Sequence, residues 1–293
     1  YTTRIGVSGS PRTSAPAPHA THIVMPLHND SWCTHPTGRR PNLSYSDRTC
    51  YNFAAFLLFA ACFADWFSCL DPNFVDFNLD KILSDKNIEG IFNKINLNSC
   101  SDVGDLNIPA HPETIYLTVV DKDLNSVSII NSVCYVFGSG ITTNKSGILL
   151  HNRGTNFRVE HGHPNCIEGL KRPLHTIIPG MVIDKDNNTT LSYGVMGGQY
   201  QPVGQVHVLN NMIDYGMGPQ EALSFPRAFH FNNIYKLEKS VDNQIFNELK
   251  EIGHNVEYID GTHGGGQAIK INRTEGDLLG GSDPRKDGYA KGY

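Results

Sequence analysis

Positive charge is scarce in this chain: 24 Lys and Arg stand against 29 Asp and Glu, a formal net charge of −5 over 293 residues. No basic surface follows from that balance, so neither nucleic acid nor an anionic membrane is an expected partner. Cysteine is sparse and unordered. The seven cysteines are an odd number, with no Cys-x-x-Cys and no tight Cys/His spacing. That argues against a disulfide framework and a zinc site and leaves free buried thiols as the expectation. The 13 histidines gather in irregular stretches such as "EHGHPN", 160–165, and no His-x₃-His falls on a helical pattern. No catalytic metal is expected, and no cofactor. Long apolar runs are missing as well. The most apolar stretch, "FAAFLLFAACFADWF" at 53–67, is uninterrupted only from Phe53 to Ala64 before Asp65 breaks it. That is too short to span a bilayer and reads as a buried helix. No signal peptide opens the chain, which begins at Tyr1, so the compartment stays open, with the cytoplasm favoured. There is no Gly-x-Ser-x-Gly elbow. "HGGGQ", 263–267, lacks the Lys-Ser/Thr of a phosphate loop and reads as a turn.

The length suits one large domain or two ordinary ones. Residues 1–50, with "SGSPRTSAPAPHATH" near the start, read as loop. Residues 51–70 look helical, a turn falls at Asp71-Pro72, and a helix is expected over 84–95. "NSCSDVGDLNIPAHPE", 98–113, is polar and turn-rich, the kind of exposed linker that tolerates a cut. After Thr114 the texture changes. "TIYLTVV", "DKDLN" and "SVSIINSVCYVF" make a hairpin, and "HTIIPGMVID", "KDNN" and "TTLSYGVM" make a second. In "VGQVHVLNNMIDYGM", Val206, Leu209, Met212 and Ile213 share one helical face, with Pro202 in the first turn and Gly216 as the stop. A further amphipathic helix is expected over 241–254, closed by Gly253, and "EYID" and "GGQAIKIN" supply late strands. Hairpins with segregated helices predict an α+β layered fold.

Two places can carry chemistry. Thr114 follows "HPE" and opens a strand pattern. If the bond between Glu113 and Thr114 is cut, the strand begins with a free amine beside a hydroxyl. A threonine hydroxyl needs a base to act as a nucleophile. An α-amino group, with a pKa of roughly 8, is neutral often enough near pH 7 to be that base. The second place is "SYGVMGGQYQP", 192–202. Gly197 and Gly198 lie between a strand and a helix, so their N–H groups sit near a helix N-terminus and can hold the oxyanion of an acyl-transfer reaction. Taken alone, each motif reads first as structure: a strand threonine, and a strand-to-helix turn.

The order of these pieces resembles the gamma-glutamyltransferase family of N-terminal-nucleophile hydrolases. The segments that carry the resemblance are "ETIYLTVVDKDLNSVSI", "FGSGI", "GILLHNRGTNF", "KRPLHTIIP", "GVMGGQYQPVGQVHVL", "IDYGM", "ALSFPR" and "GGSDPRKDGYAKGY", in register from 114 to 293. The resemblance implies a four-layer αββα sandwich. It also implies a division into residues 1–113, the end of a large subunit with 1–50 poorly matched, and 114–293, a small catalytic subunit. The precursor would cut itself between Glu113 and Thr114, and the two products would stay associated. Thr114 would then attack a γ-glutamyl amide such as glutathione and pass the acyl group to water or an amino acid. The family's oxyanion glycines fall on Gly197 and Gly198. Its carboxylate-holding hydroxyl pair falls on His175 and Thr176.

This chain departs from the family pattern in several positions. The acidic residue that grips the γ-glutamyl amine falls among Thr155 and Asn156, which are neutral, and the second threonine after the cut is Ile115. The wording "NRG…NF" and "VMGGQYQP" is closer to the gamma-glutamyltransferase-like branch, which shades into acylases for glutaryl-type side chains. Where that branch carries a polar Gln-Ser-Asn, Asn131 and Ser132 keep part of it, while Val133 and Cys134 do not. The family's substrate-binding arginine lies upstream and has no counterpart to carry over. An acylase and a truncated, inactive relative are the alternatives.

Overall fold

The computed structural model describes residues 23–26, most of 71–100, and 113–293 except residue 232. The helix expected at 51–70, most of the expected linker at 98–113 and the loop at 1–50 lie outside the described residues, apart from a short strand β1, Ile23–Pro26. Helix α1 spans Asp85–Phe92, inside the 84–95 expected. Of the described cysteines, Cys134 is free and buried, Cys166 is free and half-buried, and Cys100 is half-buried.

Strand β2, Glu113–Val120, and strand β3, Ser126–Cys134, form the expected antiparallel hairpin. Asp121 builds its turn: its carboxylate accepts from the N–H groups of Asp123 and Asn125, both at 2.9 Å. The next pair, β4 (Gly180–Ile183) and β5 (Thr189–Met196), is a second hairpin. Asp184 turns it in the same way, because an aspartate side chain mimics the backbone of a turn. Strand β9, Gly265–Asn272, pairs antiparallel with β5, and β10, Asp277–Ser282, with β9. With β1 parallel to β4, the five-stranded sheet has the order β1-β4-β5-β9-β10.

That sheet is covered on both faces. The β2–β3 hairpin lies on one, where Thr118 Oγ1 meets Ser192 Oγ at 2.6 Å and Ser128 Oγ donates to Gly180 O at 3.1 Å. Helix α2, Tyr200–Ile213, and the short helix α3, Pro219–Ser224, lie on the other. There Val182, Leu191, Tyr193 and Val195 pack with Tyr200, Val208, Met212, Ala222 and Leu223. Hence Leu191–Met196 is buried on both sides. The described residues therefore stack as hairpin, sheet and helices, a mixed α+β arrangement. The hairpin's outer face is apolar and open, with Ile115 72% exposed and Leu117, Val119, Val127 and Ile129 exposed beside it.

A second core lies under β6 (Ala228–Phe231), β7 (Ile234–Glu238) and β8 (Val256–Ile259), in the order β6-β7-β8. Helix α4, Asn243–Glu251, packs Ile245 and Leu249 against Tyr235, Leu237 and Val256. Asp242 caps it by accepting from the Gln244 N–H at 2.7 Å.

Three expectations need correcting. The buried side of α2 is Tyr200, Gln201, Gly204, Gln205, Val208, Asn211 and Met212, while Val206 and Leu209 are half-buried and Ile213 is exposed. Buried amides with partners displaced the apolar stripe. In "HGGGQ" no turn is recorded: His263 and Gly264, the latter at φ 59°, lead straight into β9, which begins at Gly265. Strands β6, β7 and β10 and helix α3 were not anticipated. They are short, and β10 contains two glycines.

Candidate active site

Thr114 is the second residue of β2, which runs unbroken through the Glu113–Thr114 bond. The hairpin is irregular there: Glu113 pairs with Cys134 but Ile115 with Asn131, so β3 holds one extra residue opposite Thr114. Such bulges re-aim side chains and collect beside active sites. Cys134 ends the bulge at φ 79°, its N–H donating to Ser132 Oγ at 3.0 Å. The Thr114 hydroxyl oxygen is buried and makes no hydrogen bond among the described residues. A buried hydroxyl without a partner costs about 1–3 kcal/mol, so its presence at the bulge calls for a reason.

The hairpin crosses β5 in a fixed step. Thr118 sits over Ser192, and Tyr116 over Gly194, where an added Cβ would come 2.2 Å from the Tyr116 ring. Met196, the last residue of β5, stands two residues beyond Gly194. Gly197 and Gly198 follow, at φ 123° and 57°. A Cβ on Gly197 would stand 2.6 Å from Gly264 Cα, so the two glycine loops meet backbone to backbone. Both glycine carbonyls accept from the start of α2, Gly197 from Tyr200 and Gly198 from Gln201, each at 3.1 Å. Their own N–H groups have no acceptor among the described residues. Two unused donors at a helix N-terminus can stabilise a developing oxyanion.

The loop carrying His175 and Thr176 is held from three sides. Gln205 Nε2 donates to Ile178 O at 2.7 Å, and Gln201 Oε1 accepts from Ile178 N at 3.3 Å. Asn156 Nδ2 donates to Leu174 O at 3.0 Å, and Asn165 Nδ2 to Asn156 O at 2.6 Å. Arg172 makes a two-pronged ion pair with Asp71, Nε at 3.2 Å and Nη2 at 3.0 Å. His175 is open to solvent. Its basicity is lowered first by partial desolvation and next by the Arg153 guanidinium. Thr176 is half-buried and accepts from Arg153 Nη1 at 3.4 Å.

Arg153 was missed in the sequence. It lies in the one-turn 3₁₀ helix Arg153–Asn156, inside the quoted "NRGTNF". The signal was an arginine close to the neutral pair that stands where an acid was expected. Its neighbour Asn152 ties it to the bulge, donating to Val133 O at 3.2 Å and accepting from Tyr135 N at 3.1 Å. The structure thus joins the bulge at Thr114, the Arg153 turn and the His175–Thr176 loop. Asn131 is not joined to them. It pairs with Ile115 and is exposed, on the hairpin face opposite Tyr116. Asn156 is joined, but its amide nitrogen is already committed to Leu174. Among the described residues no three His, Cys, Asp or Glu side chains converge.

A threonine at a strand irregularity, and unspent backbone donors at the end of the strand that its hairpin packs on, stand on two stacked β-layers backed by helices, as in an N-terminal-nucleophile amide hydrolase. The family model for gamma-glutamyltranspeptidase matches residues 57–293, and the chain belongs to that family. It is 36% identical over 237 residues to the glutathione hydrolase-like YwrD proenzyme of Bacillus subtilis. It is 32% identical over 231 residues to the oxamate amidohydrolase proenzyme of Klebsiella pneumoniae. Each match covers 76% of this chain but 43% of the relative. The cephalosporin acylase of Bacillus halodurans superposes with a TM-score of 0.71 at 29% identity, over 84% of this chain and 50% of that one. The chain thus spans about half the length of its relatives.

Proposed function

We propose that this chain carries the catalytic part of a self-cleaving amide hydrolase that acts on γ-glutamyl or related amides such as glutathione, with transfer to an acceptor amine as a further outcome. The observation that carries this reading is the Thr114 hydroxyl, buried and unpartnered at a strand irregularity. In the precursor, Thr114 Oγ attacks the Glu113 carbonyl carbon and the peptide nitrogen departs, giving an ester. Water opens that ester to a Glu113 carboxylate and a free Thr114 amine. The amine then takes the proton of its own hydroxyl, which attacks the substrate amide. The Gly197 and Gly198 N–H groups receive the tetrahedral oxyanion, and the leaving amine takes the proton. His175 and Thr176 are assigned to the substrate carboxylate, and the free Oδ1 of Asn156 to the rest of the acyl group. Asn131 is assigned no contact, because it faces away.

On this reading 1–113 and 114–293 are the two products, which stay associated. The complete protein has the four-layer αββα sandwich, its remaining helical layer covering the open Ile115–Leu117–Val119 face. Among the described residues no helix is long and apolar enough to cross a membrane. The proenzyme names of both relatives and the acylase superposition support the cleavage and the amide chemistry.

A second reading, an acylase for glutaryl-type chains, is favoured by the neutral Asn156, because an ammonium gains more from a carboxylate than from an amide. The test is Thr114→Ala. Denaturing electrophoresis of the wild type should show two pieces split before Thr114, and the variant one band with no anilide turnover. A variant that still cuts, or a wild type that neither cuts nor turns over, sinks the proposal. The latter would mark an inactive relative. Comparing γ-glutamyl with glutaryl anilide separates the two enzyme readings.

A further inference from the structure

Arg153 is 3% exposed, yet it has no carboxylate partner among the described residues. Its Nη1 reaches Thr176 Oγ1 at a long 3.4 Å, and its Nη2 is buried without an acceptor among the described residues. The groups near it are the Cys134 thiol, the His175 ring and the Thr176 hydroxyl. Contrast the other buried guanidinium, Arg227, which is fully enclosed but bonds Asp283 Oδ2 at 2.5 Å, His263 O at 2.8 Å and Leu223 O at 3.1 Å. Arg227 has a carboxylate partner, with only its Nε left unbonded among the described residues, whereas Arg153 has no carboxylate. An arginine keeps its charge in a protein, and an unpaired buried charge is among the most costly features a fold can hold. No described residue offsets that cost, and a bound anion would.

The position says from where. Asn152, bonded to the bulge opposite Thr114, precedes Arg153, and Thr176 of the proposed acyl-binding loop accepts from its guanidinium. We infer that Arg153 is the carboxylate clamp of the acyl site: its free Nη2 and adjoining N–H groups take the carboxylate of the bound acyl group, alongside the Thr176 hydroxyl. This rests on the amide-hydrolase reading and deepens it. The substrate class becomes amides whose acyl chain ends in or bears a free carboxylate, a group both glutaryl and γ-glutamyl chains carry and a plain alkanoyl chain lacks. A planar guanidinium matches a carboxylate with two parallel bonds, whereas lysine offers a point charge.

The experiment uses the full chain with three substitutions, Arg153→Met, Arg153→Lys and Thr114→Ala. Wild type should turn over glutaryl anilide at least about 100-fold better in kcat/KM than butyryl anilide, which has the same chain without the carboxylate. Arg153→Met should collapse that ratio to within a few-fold, mainly through KM, and Arg153→Lys should restore part of it. Thermal unfolding of Arg153→Met should not be lower than wild type, since an unpaired buried charge has gone. A ratio unchanged in Arg153→Met overturns the clamp, as does a large fall in Tm, which would make Arg153 structural. Calorimetric binding of glutarate to Thr114→Ala, with and without Arg153→Met, keeps the inference separate from the catalytic reading. At least tenfold weaker binding in the double variant supports the clamp even if no anilide is ever hydrolysed. Equal binding sinks it even if Thr114 proves to be the nucleophile.

Discussion

Gly197 combines two constraints that no other residue type meets. Its φ of 123° is a backbone state that side chains rarely adopt, and a Cβ would strike Gly264 at 2.6 Å. Gly197→Ala must therefore move the strand-to-helix turn, and with it the N–H proposed to meet the oxyanion. Removing one such donor costs about 10²–10³ in kcat. We expect a loss of at least that size, read by stopped assays on the cleaved enzyme; a variant within tenfold of wild type would remove Gly197 from the oxyanion role. Asn156 has the reverse character. Asn156→Asp restores the acid expected for gripping an ammonium, but an ionised aspartate cannot donate to Leu174 O as Nδ2 now does. The exchange should lower stability by about 1–3 kcal/mol, measured by urea unfolding. A variant as stable as wild type would show that the Leu174 bond contributes nothing.

Elements show where the sequence was legible and where it was not. Both hairpins could be read because alternation and an Asp-x-x-x-Asn turn agree: Asp121 with Asn125, and Asp184 with Asn188, close their loops by the same side-chain bonds. Helix α2 was found, but its orientation was misread, because burial of Gln201 and Gln205 follows from their bonds to Ile178, a partner 23 and 27 residues away. No periodicity within one helix encodes that. The glycine pair and Thr114 were legible as motifs, whereas the bulge that distinguishes Thr114 from a strand threonine depends on its partner strand. Two quoted motifs, "ALSFPR" and "GGSDPRKDGYAKGY", proved to be halves of one structural cluster: Arg227 with Asp283, and Arg285 with Glu238 at 2.6 Å. These pairs pin β7 to α3 and the C-terminal segment. Asp283→Ala leaves Arg227 buried and half-paired, which should cost about 3–5 kcal/mol. Calorimetry should show it, and a loss below 1 kcal/mol would mean that the neighbouring carbonyls suffice. Gln205→Leu should instead act on the site, raising KM more than it lowers kcat as the His175–Thr176 loop loosens.

For the whole molecule, the proposed cut turns internal contacts into contacts between two pieces. Among those described, the Cys100 N–H donates to Ile252 O at 3.0 Å, and Asp71 grips Arg172. The first is a neutral backbone bond and insensitive to acid. The second is not. Arg172 holds the Asp71 carboxyl well below the usual carboxylate range, chiefly through its side-chain hydrogen bonds, and Asp71 in turn raises Arg172. Both partners move in the direction of a pair favoured when charged. A depressed carboxylate stabilises the associated form fully above its free value of about 4 and loses that contribution as pH falls through the depressed one. Arg172 is half-exposed, so screening by salt weakens the pair without abolishing it. Gel filtration of the cleaved protein should give one species at pH 7 and progressive release of the smaller piece below about pH 4, earlier in high salt. Asp71→Asn keeps the shape and removes the charge. Its pieces should separate more readily at pH 7, with a flatter pH profile. An acid-release curve identical to wild type would mean that other carboxylates hold the two parts together.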